Sequence, residues 1–251
     1  MKALIDGDIL CYRIGFATNN ETEDVAIRTM ATFLEDLLMY DLSADDWTTY
    51  LTGKRNFRND VAVTEKYKGN RKKEKPVHIQ LLRDYLVASW NGVVSDGNEA
   101  DDEIAIAATS LGDESIIVSL DKDFDQVQGW HYNFVKKNKY YIKPEEGLLN
   151  FYMQFLVGDR IDNIIGVDGI GPVKARKLLA GKTEQEMFDI CVEKLGSVER
   201  AVENGRLLFL QRYPNQLWSP PNENTECESE GQETATVDSG ADTKDVSASG
   251  E

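Results

Sequence analysis

The chain has 251 residues, 28 Lys and Arg against 44 Asp and Glu, and a formal net charge of −16, which excludes a uniformly basic nucleic-acid coat. It is long enough for one sizeable core with a small appended domain, and its three scattered cysteines offer neither a disulfide framework nor zinc spacing. With acids at Asp6 and Asp8 the N-terminus is no signal peptide, and no apolar run approaches the ~18 residues of a membrane span, so a soluble, cytoplasmic protein without a membrane partner is expected.

Residues 2–5 read as a short buried strand ending at Asp6, and 22–40 as a helix with Val25, Ile27, Met30, Phe33, Leu34, Leu37 and Leu38 on its packed side. Residues 47–52 read as a second strand. The segment 54–75 follows, with nine basic and three acidic residues and few apolar anchors, and is expected as a mobile loop or partly helical excursion. A helix over 76–89 starts at Pro76, and Val93–Val94 form a short strand. A helix from Glu99 to Leu111, a strand at 115–120 and a hairpin at 130–142 turning on Lys-Lys-Asn come next. Strands alternating with helices predict an α/β fold with a mostly parallel sheet and helical cover in residues 1–143.

From Pro144 to residue 220 the pattern is helical: 144–157, 172–180, 183–195 and 197–211, with a glycine-rich loop at 158–171. Residues 221–251 hold nine acids and one Lys, half of the net charge, in a composition too polar to bury a core, and are expected to be a disordered acidic tail.

Acidic groups sit directly after apolar segments. Asp6 ends the first strand, Glu99, Asp101 and Asp102 open a helix, Asp121 and Asp123 follow the strand SIIVSL, and Asp159 and Asp162 follow FLVG. Each group has a plain structural explanation, because acids also cap helix N-termini and fill polar turns. Their joint placement points further: sites in parallel sheets form at the carboxyl ends of strands. Carboxylates gathered there repel one another, and an oxygen-only set without His or Cys selects hard cations, Mg²⁺ or Mn²⁺. Two such ions ~4 Å apart activate a water and stabilise the leaving oxygen in phosphodiester hydrolysis.

Two segments suit phosphate. Gly166-Val167-Asp168-Gly169-Ile170-Gly171-Pro172 runs into the helix VKARKLL, where Gly169 and Gly171 let a phosphate approach the amides and Lys174, Arg176 and Lys177 add charge. In Tyr67-Lys68-Gly69-Asn70-Arg71-Lys72-Lys73, Tyr67 is placed to stack on a base, Lys68 and Arg71 to hold the scissile phosphate, and Lys72 to add DNA contact. The plain alternatives are a glycine turn between helices and a solvated basic loop.

LIDGD at 4–8, YKGNR at 67–71, EADD at 99–102, SLDKDFDQV at 119–127 and LVGDRIDNIIGVDGIGPVKARKLL at 156–179 together resemble the 5′-nuclease, flap endonuclease-like family, which includes compact phage 5′→3′ exonucleases and the 5′-nuclease domain of bacterial DNA polymerase I. The resemblance spans about residues 1–211. It implies a PIN-like domain with helices on both sheet faces, a basic arch at 54–75, and a C-terminal helix–three-turn–helix subdomain at 144–220. It implies two Mg²⁺ ions, one served by Asp6, Glu99, Asp101 and Asp102 and the other by Asp121, Asp123, Asp159 and Asp162. It places Lys68 and Arg71 at the base of the arch, and the Gly169–Lys177 module on duplex backbone. One departure stands out: Thr52 or Gly53 occupies the place of a metal-site Asp expected ahead of Phe57-Arg58.

The activity so implied is Mg²⁺-dependent 5′→3′ exonuclease or flap endonuclease cleavage in DNA replication, on DNA with a free 5′ end or flap or on an RNA–DNA hybrid. Two other readings are a nuclease-like protein that binds branched DNA without cutting it, motivated by the absent Asp, and a PIN-type ribonuclease, disfavoured by a glycine hairpin suited to duplex backbone.

Overall fold

Strand β1 (Lys2–Asp6) is buried from Ala3 onward, and its alternation divides the core: Ala3 and Ile5 face one side of the sheet and Leu4 the other. The computed structural model describes residues 1–70 and 74–221. Arg71, Lys72 and the tail from residue 222 lie outside the described residues. Helix α1 (Gly7–Ala17) follows at once, with Asp6 as its N-cap accepting from the Ile9 amide at 3.1 Å. This helix is absent from the sequence expectations, because apolar residues surround it and leave little amphipathic pattern. Helix α2 (Glu23–Asp36) is shorter than expected and continues as a wide π-turn over Leu37–Leu42, ending at Ser43 in the left-handed region.

Strand β2 (Asp46–Leu51) pairs parallel with β1. The described part of the basic segment is pinned rather than loose. It contains a short helix α3 (Arg58–Val61), and Glu203 accepts from the Val63 and Thr64 amides, both at 2.7 Å. Helix α4 (Ile79–Ser89) begins three residues after Pro76. Strand β3 (Gly92–Val94), helix α5 (Ala100–Leu111) and strand β4 (Ser115–Val118) lie close to their expected bounds. Strands β5 (Gly129–Asn133) and β6 (Asn138–Ile142) form the hairpin, but its turn precedes Asn138, because Asn133 caps it by accepting from the Val135 and Lys136 amides.

The sheet order is β3-β2-β1-β4-β5-β6, parallel except for β6. The chain adds strands to one side of β1 and then returns to place β4 on the other, so the carboxyl ends of β1 and β4 flank the topological switch point. Helices α1, α2 and α4 pack on one face and α5 on the other. The expected mostly parallel α/β sheet with helices on both faces is what the chain forms.

Beyond it lie α6 (Pro144–Val157), a two-strand ladder of β7 (Gly158–Asp159) and β8 (Ile164–Ile165), α7 (Pro172–Leu179), α8 (Glu184–Leu195) and α9 (Val198–Leu208). Phe151, Tyr152, Phe155, Phe188 and Trp218 form an aromatic core there. Gly158 and Gly166 are needed at the ladder, since a Cβ on either would overlap the other strand's backbone and Gly158 has φ +70°. Among the described residues no helix is long and apolar enough to cross a membrane.

Candidate functional site

The carboxyl ends of β1 and β4 open into a cavity of about 770 Å³, whose lining includes Asp6, Asp8, Lys68, Arg83, Glu99, Asp101 and Asp121. Asp6 and Asp121 are linked through Ser119, which donates to Asp6 Oδ2 at 2.8 Å and accepts from the Asp121 amide at 3.0 Å. Asp101 comes from the first turn of α5, where the helix dipole favours an anion. On the other side Asp121 caps the 3₁₀ turn 122–126 and accepts from the Asp123 amide, and Gln154 of α6 donates to Asp123 at 2.9 Å. Asp159 closes the β7–β8 turn by accepting from the amides of Ile161 (2.7 Å) and Asp162 (3.1 Å).

Burial and mutual repulsion hold Asp6, Asp101, Asp121 and Asp123 back from ionising. Asp6 is pushed up to about 7, first by burial and then by Asp8 and Asp121, against the hydrogen bonds from Ile9 and Ser119. Asp123 is pushed up to about 7 by burial, Asp121 and Asp159. Asp101 rises well above the usual carboxylate range, by burial and by Asp6, Glu99 and Asp121, and Asp121 rises by burial with Asp159 and Asp162. Asp121 is thus felt by Asp6 and Asp101 on one side and by Asp123 on the other. Among the described residues no three of these side chains close on a common point at ligand distance. Asp6, Glu99, Asp101 and Asp121 line one open cavity, and Asp123, Asp159 and Asp162 lie beyond Asp121, outside that lining. An all-oxygen set whose members oppose one another's ionisation fits a hard divalent cation, which relieves that repulsion.

Asp102 does not join them, and its expected role as a ligand is corrected. It is fully buried, receives both arms of the buried Arg58 guanidinium at 2.6 and 2.9 Å, and accepts from the Glu99 and Gln211 amides. Burial opposes the Arg58 charge, but Asp102 and the nearby Glu99 raise its pKa, so the guanidinium stays charged. Tyr67 is corrected as well. Its ring is 5% exposed, so it offers no face for a base. Its hydroxyl lies 2.7 Å from Glu99 Oε2 and 2.8 Å from Asp162 Oδ2 and ties the two acidic groups together. Lys68 does reach the site: its ammonium pairs with Glu99 and lies 3.7 Å from Asp162. The segment 66–70 is sewn to the β7–β8 turn, with the Lys68 amide donating to the Asp162 carbonyl at 2.8 Å and Asn70 donating to the Arg160 carbonyl at 2.7 Å.

Away from this cavity, Gly171 precedes α7 and Pro172 occupies its first turn. Gly169 has φ +71°, and a Cβ on Gly169 or Gly171 would meet nothing within 4 Å, so this loop is open to a large ligand. Lys174 and Lys177 are exposed beside it. Arg176 is already held by Glu146, at 2.9–3.1 Å.

The carboxylate cavity at the β1–β4 switch point agrees with a family comparison. Residues 1–151 match the 5′-3′ exonuclease N-terminal, resolvase-like domain. The chain belongs to the 5′-3′ exonuclease family. It is 31% identical over 206 residues to the 5′-3′ exonuclease of Mycoplasma genitalium, covering 70% of each protein. It is 30% identical over 207 residues to DNA polymerase I of Bacillus caldotenax, covering 70% of this chain and 23% of the polymerase, so it spans about a quarter of that relative. In fold it is similar to the T5 D15 protein co-crystallized with metal ions, with a TM-score of 0.68 at 19% identity over 83% of this chain and 89% of that one.

Within this member of the family, the structure adds site residues to those read from the sequence pattern. Ser119 carries a signal in hindsight, standing two residues before Asp121 at a strand's end. Asp8 closes the LIDGD motif and Thr52 stands at the departure already noted, but Arg83 carries no signal, and the meeting of the three depends on how α1, β2 and α4 pack. The Thr52 amide donates to Asp8 at 2.8 Å, the Thr52 hydroxyl accepts from the Ala100 amide at 3.0 Å, and Gly53 is packed so that a Cβ would overlap the Ser95 carbonyl. Position 53 therefore cannot carry an acid without moving the backbone, and Asp8 is the carboxylate found beside Thr52.

Proposed function

We propose that this chain hydrolyses DNA phosphodiesters as a divalent-metal-dependent 5′→3′ exonuclease and 5′-flap endonuclease of the kind that serves DNA replication, with Mg²⁺ as its ion and Mn²⁺ able to substitute. The observation that carries the reading is the cavity at the β1–β4 switch point, which Asp6, Glu99, Asp101 and Asp121 line with no His or Cys among them, and where Asp121 opposes the ionisation of both Asp6 and Asp101. Its kinship with proteins named 5′-3′ exonuclease and flap endonuclease supports it. Asp6, Glu99 and Asp101 would hold one ion, and Asp121, Asp123, Asp159 and Asp162 a second. Ions so held supply an activated water and neutralise charge on the leaving oxygen.

The protein's own groups do the rest. Ser119 fixes the relative placement of Asp6 and Asp121, and Tyr67 that of Glu99 and Asp162. Lys68 sets an ammonium at the rim of the acidic wall, where it meets negative charge on a bound phosphate. The open Gly169–Gly171 loop with Lys174 and Lys177 grips duplex backbone without reading sequence.

Asp121→Ala or Asp123→Ala, assayed on 5′-labelled flap and duplex DNA with Mg²⁺, is expected to lower cleavage by roughly a thousandfold. DNA binding is retained, because it rests on the basic elements. Undiminished cleavage by either variant defeats the site assignment. Wild-type protein that binds flap DNA but releases no product in Mg²⁺ or Mn²⁺ defeats the enzymatic reading.

A further inference from the structure

The same cavity is not lined by acids alone. The lining also carries Arg83, Lys54 and Lys75, with Arg83 paired to Asp8. Arg83 differs from the lysines in being fixed. One guanidinium arm pairs with Asp8, and Nη2 donates to the Thr52 carbonyl at 2.6 Å. Asp8 is itself held by the Thr52 amide at 2.8 Å, so α1, β2 and α4 converge on one rigid contact. The side chain remains 22% exposed. A guanidinium has five N–H donors, and these contacts engage two, which leaves donors for a ligand in the cavity.

We propose that Arg83, oriented by Asp8, is a positioning residue that binds a phosphate of the substrate strand next to the one cleaved. The inference rests on the nuclease reading above. A polyanionic strand entering this cavity meets Asp6, Glu99, Asp101 and Asp121, whose negative charge repels it. A cation held in place by Asp8 and the Thr52 carbonyl in the same lining offsets that repulsion and sets the strand's register. A planar fork suits a phosphate better than a mobile amine does. Asp8 serves Arg83 rather than a metal, since its carboxylate is neutralised by the guanidinium.

The test compares wild type, Arg83→Gln, Arg83→Lys and Asp8→Asn on 5′-flap DNA with Mg²⁺, with binding measured by anisotropy in an Asp121→Ala background. Arg83→Gln is expected to raise KM and Kd about tenfold. It is also expected to reduce the slope of log Kd against log salt by about one, which a merely structural role leaves unmoved. Arg83→Lys recovers the salt slope but only part of the affinity. The effects of Asp8→Asn and Arg83→Gln combine less than additively. The Mg²⁺ concentration for half-maximal rate stays as in wild type. An unchanged Kd and salt slope in a folded Arg83→Gln protein overturns the proposal, as does a shifted Mg²⁺ requirement with unchanged Kd. Wild-type protein that fails to cleave counts against the nuclease reading alone, because the binding measurements still decide the role of Arg83.

Discussion

Asp101 and Asp102 are chain neighbours on the first turn of one helix, yet they live in opposite electrostatic worlds. Asp102 meets the buried Arg58 guanidinium and two backbone amides, so its charge is answered inside the protein. Asp101 shares the cavity with Asp6, Glu99 and Asp121, and its pKa climbs first through burial and then because these neighbours carry the same sign. The contrast separates acids that build the fold from acids that wait for a cation. A buried acid with a protein cation is structural; a group of acids without one spends stability on a site.

The largest expected break in that comparison is the thousandfold loss of cleavage already described for Asp121→Ala, with the fold intact. Next is Asp102→Ala. It leaves Arg58 buried and unpaired, so chemical denaturation is expected to show a loss of about 3–5 kcal/mol. An Asp102→Ala protein of unchanged stability contradicts the structural role. Tyr67→Phe removes a hydroxyl shared by Glu99 and Asp162 and is expected to cost about 1.5–3 kcal/mol, seen as a weaker thermal shift on adding Mg²⁺ and a slower rate.

The pH dependence sharpens the comparison. Asp6 and Asp123 rise from 3.8 to about 7 on folding, so the folded chain binds protons more tightly than the unfolded chain between those values. Their contribution to stability therefore declines as pH rises across that window and levels off above it. In EDTA, Asp6→Asn or Asp123→Asn is expected to raise the Tm at pH 8 and change it little at pH 4. Mg²⁺ is expected to stabilise wild type more at pH 8 than at pH 5, and these variants less. A Tm that drops in both variants at pH 8 in EDTA overturns this sign. The smallest effect belongs to the glycine module: Lys174→Gln with Lys177→Gln is expected to lower the salt slope of duplex binding by about one per lysine, with little change in turnover.

Much of the fold was legible in local pattern. The strand 2–5, the helix 99–111 and the helices after Pro144 carry apolar periodicities and capping residues that point one way. Helix α1 was not, because Leu10, Cys11 and Ile14 share it with Ile9, Tyr12 and Phe16, and an element apolar on every side shows no period. The early turn of the β5–β6 hairpin came from one side chain, Asn133, accepting from two amides.

Sequence alone determined which residue types this chain carries at the ends of its strands and helices: Asp6 after β1, Asp121 and Asp123 after β4, Glu99 and Asp101 at the head of α5, Asp159 and Asp162 after α6. It also determined the glycine turn before α7. Only the tertiary structure decided how each is used. Charge and burial depend on partners far away in the chain: Arg58 claims Asp102 across 44 positions, and Tyr67 gives its hydroxyl to Glu99 and Asp162 instead of its ring to a base. Asp8 meets Arg83 only because α1 and α4 pack on the same face of the sheet. A carboxylate's role is set by the sign and distance of its neighbours, and distance is a property of the folded chain.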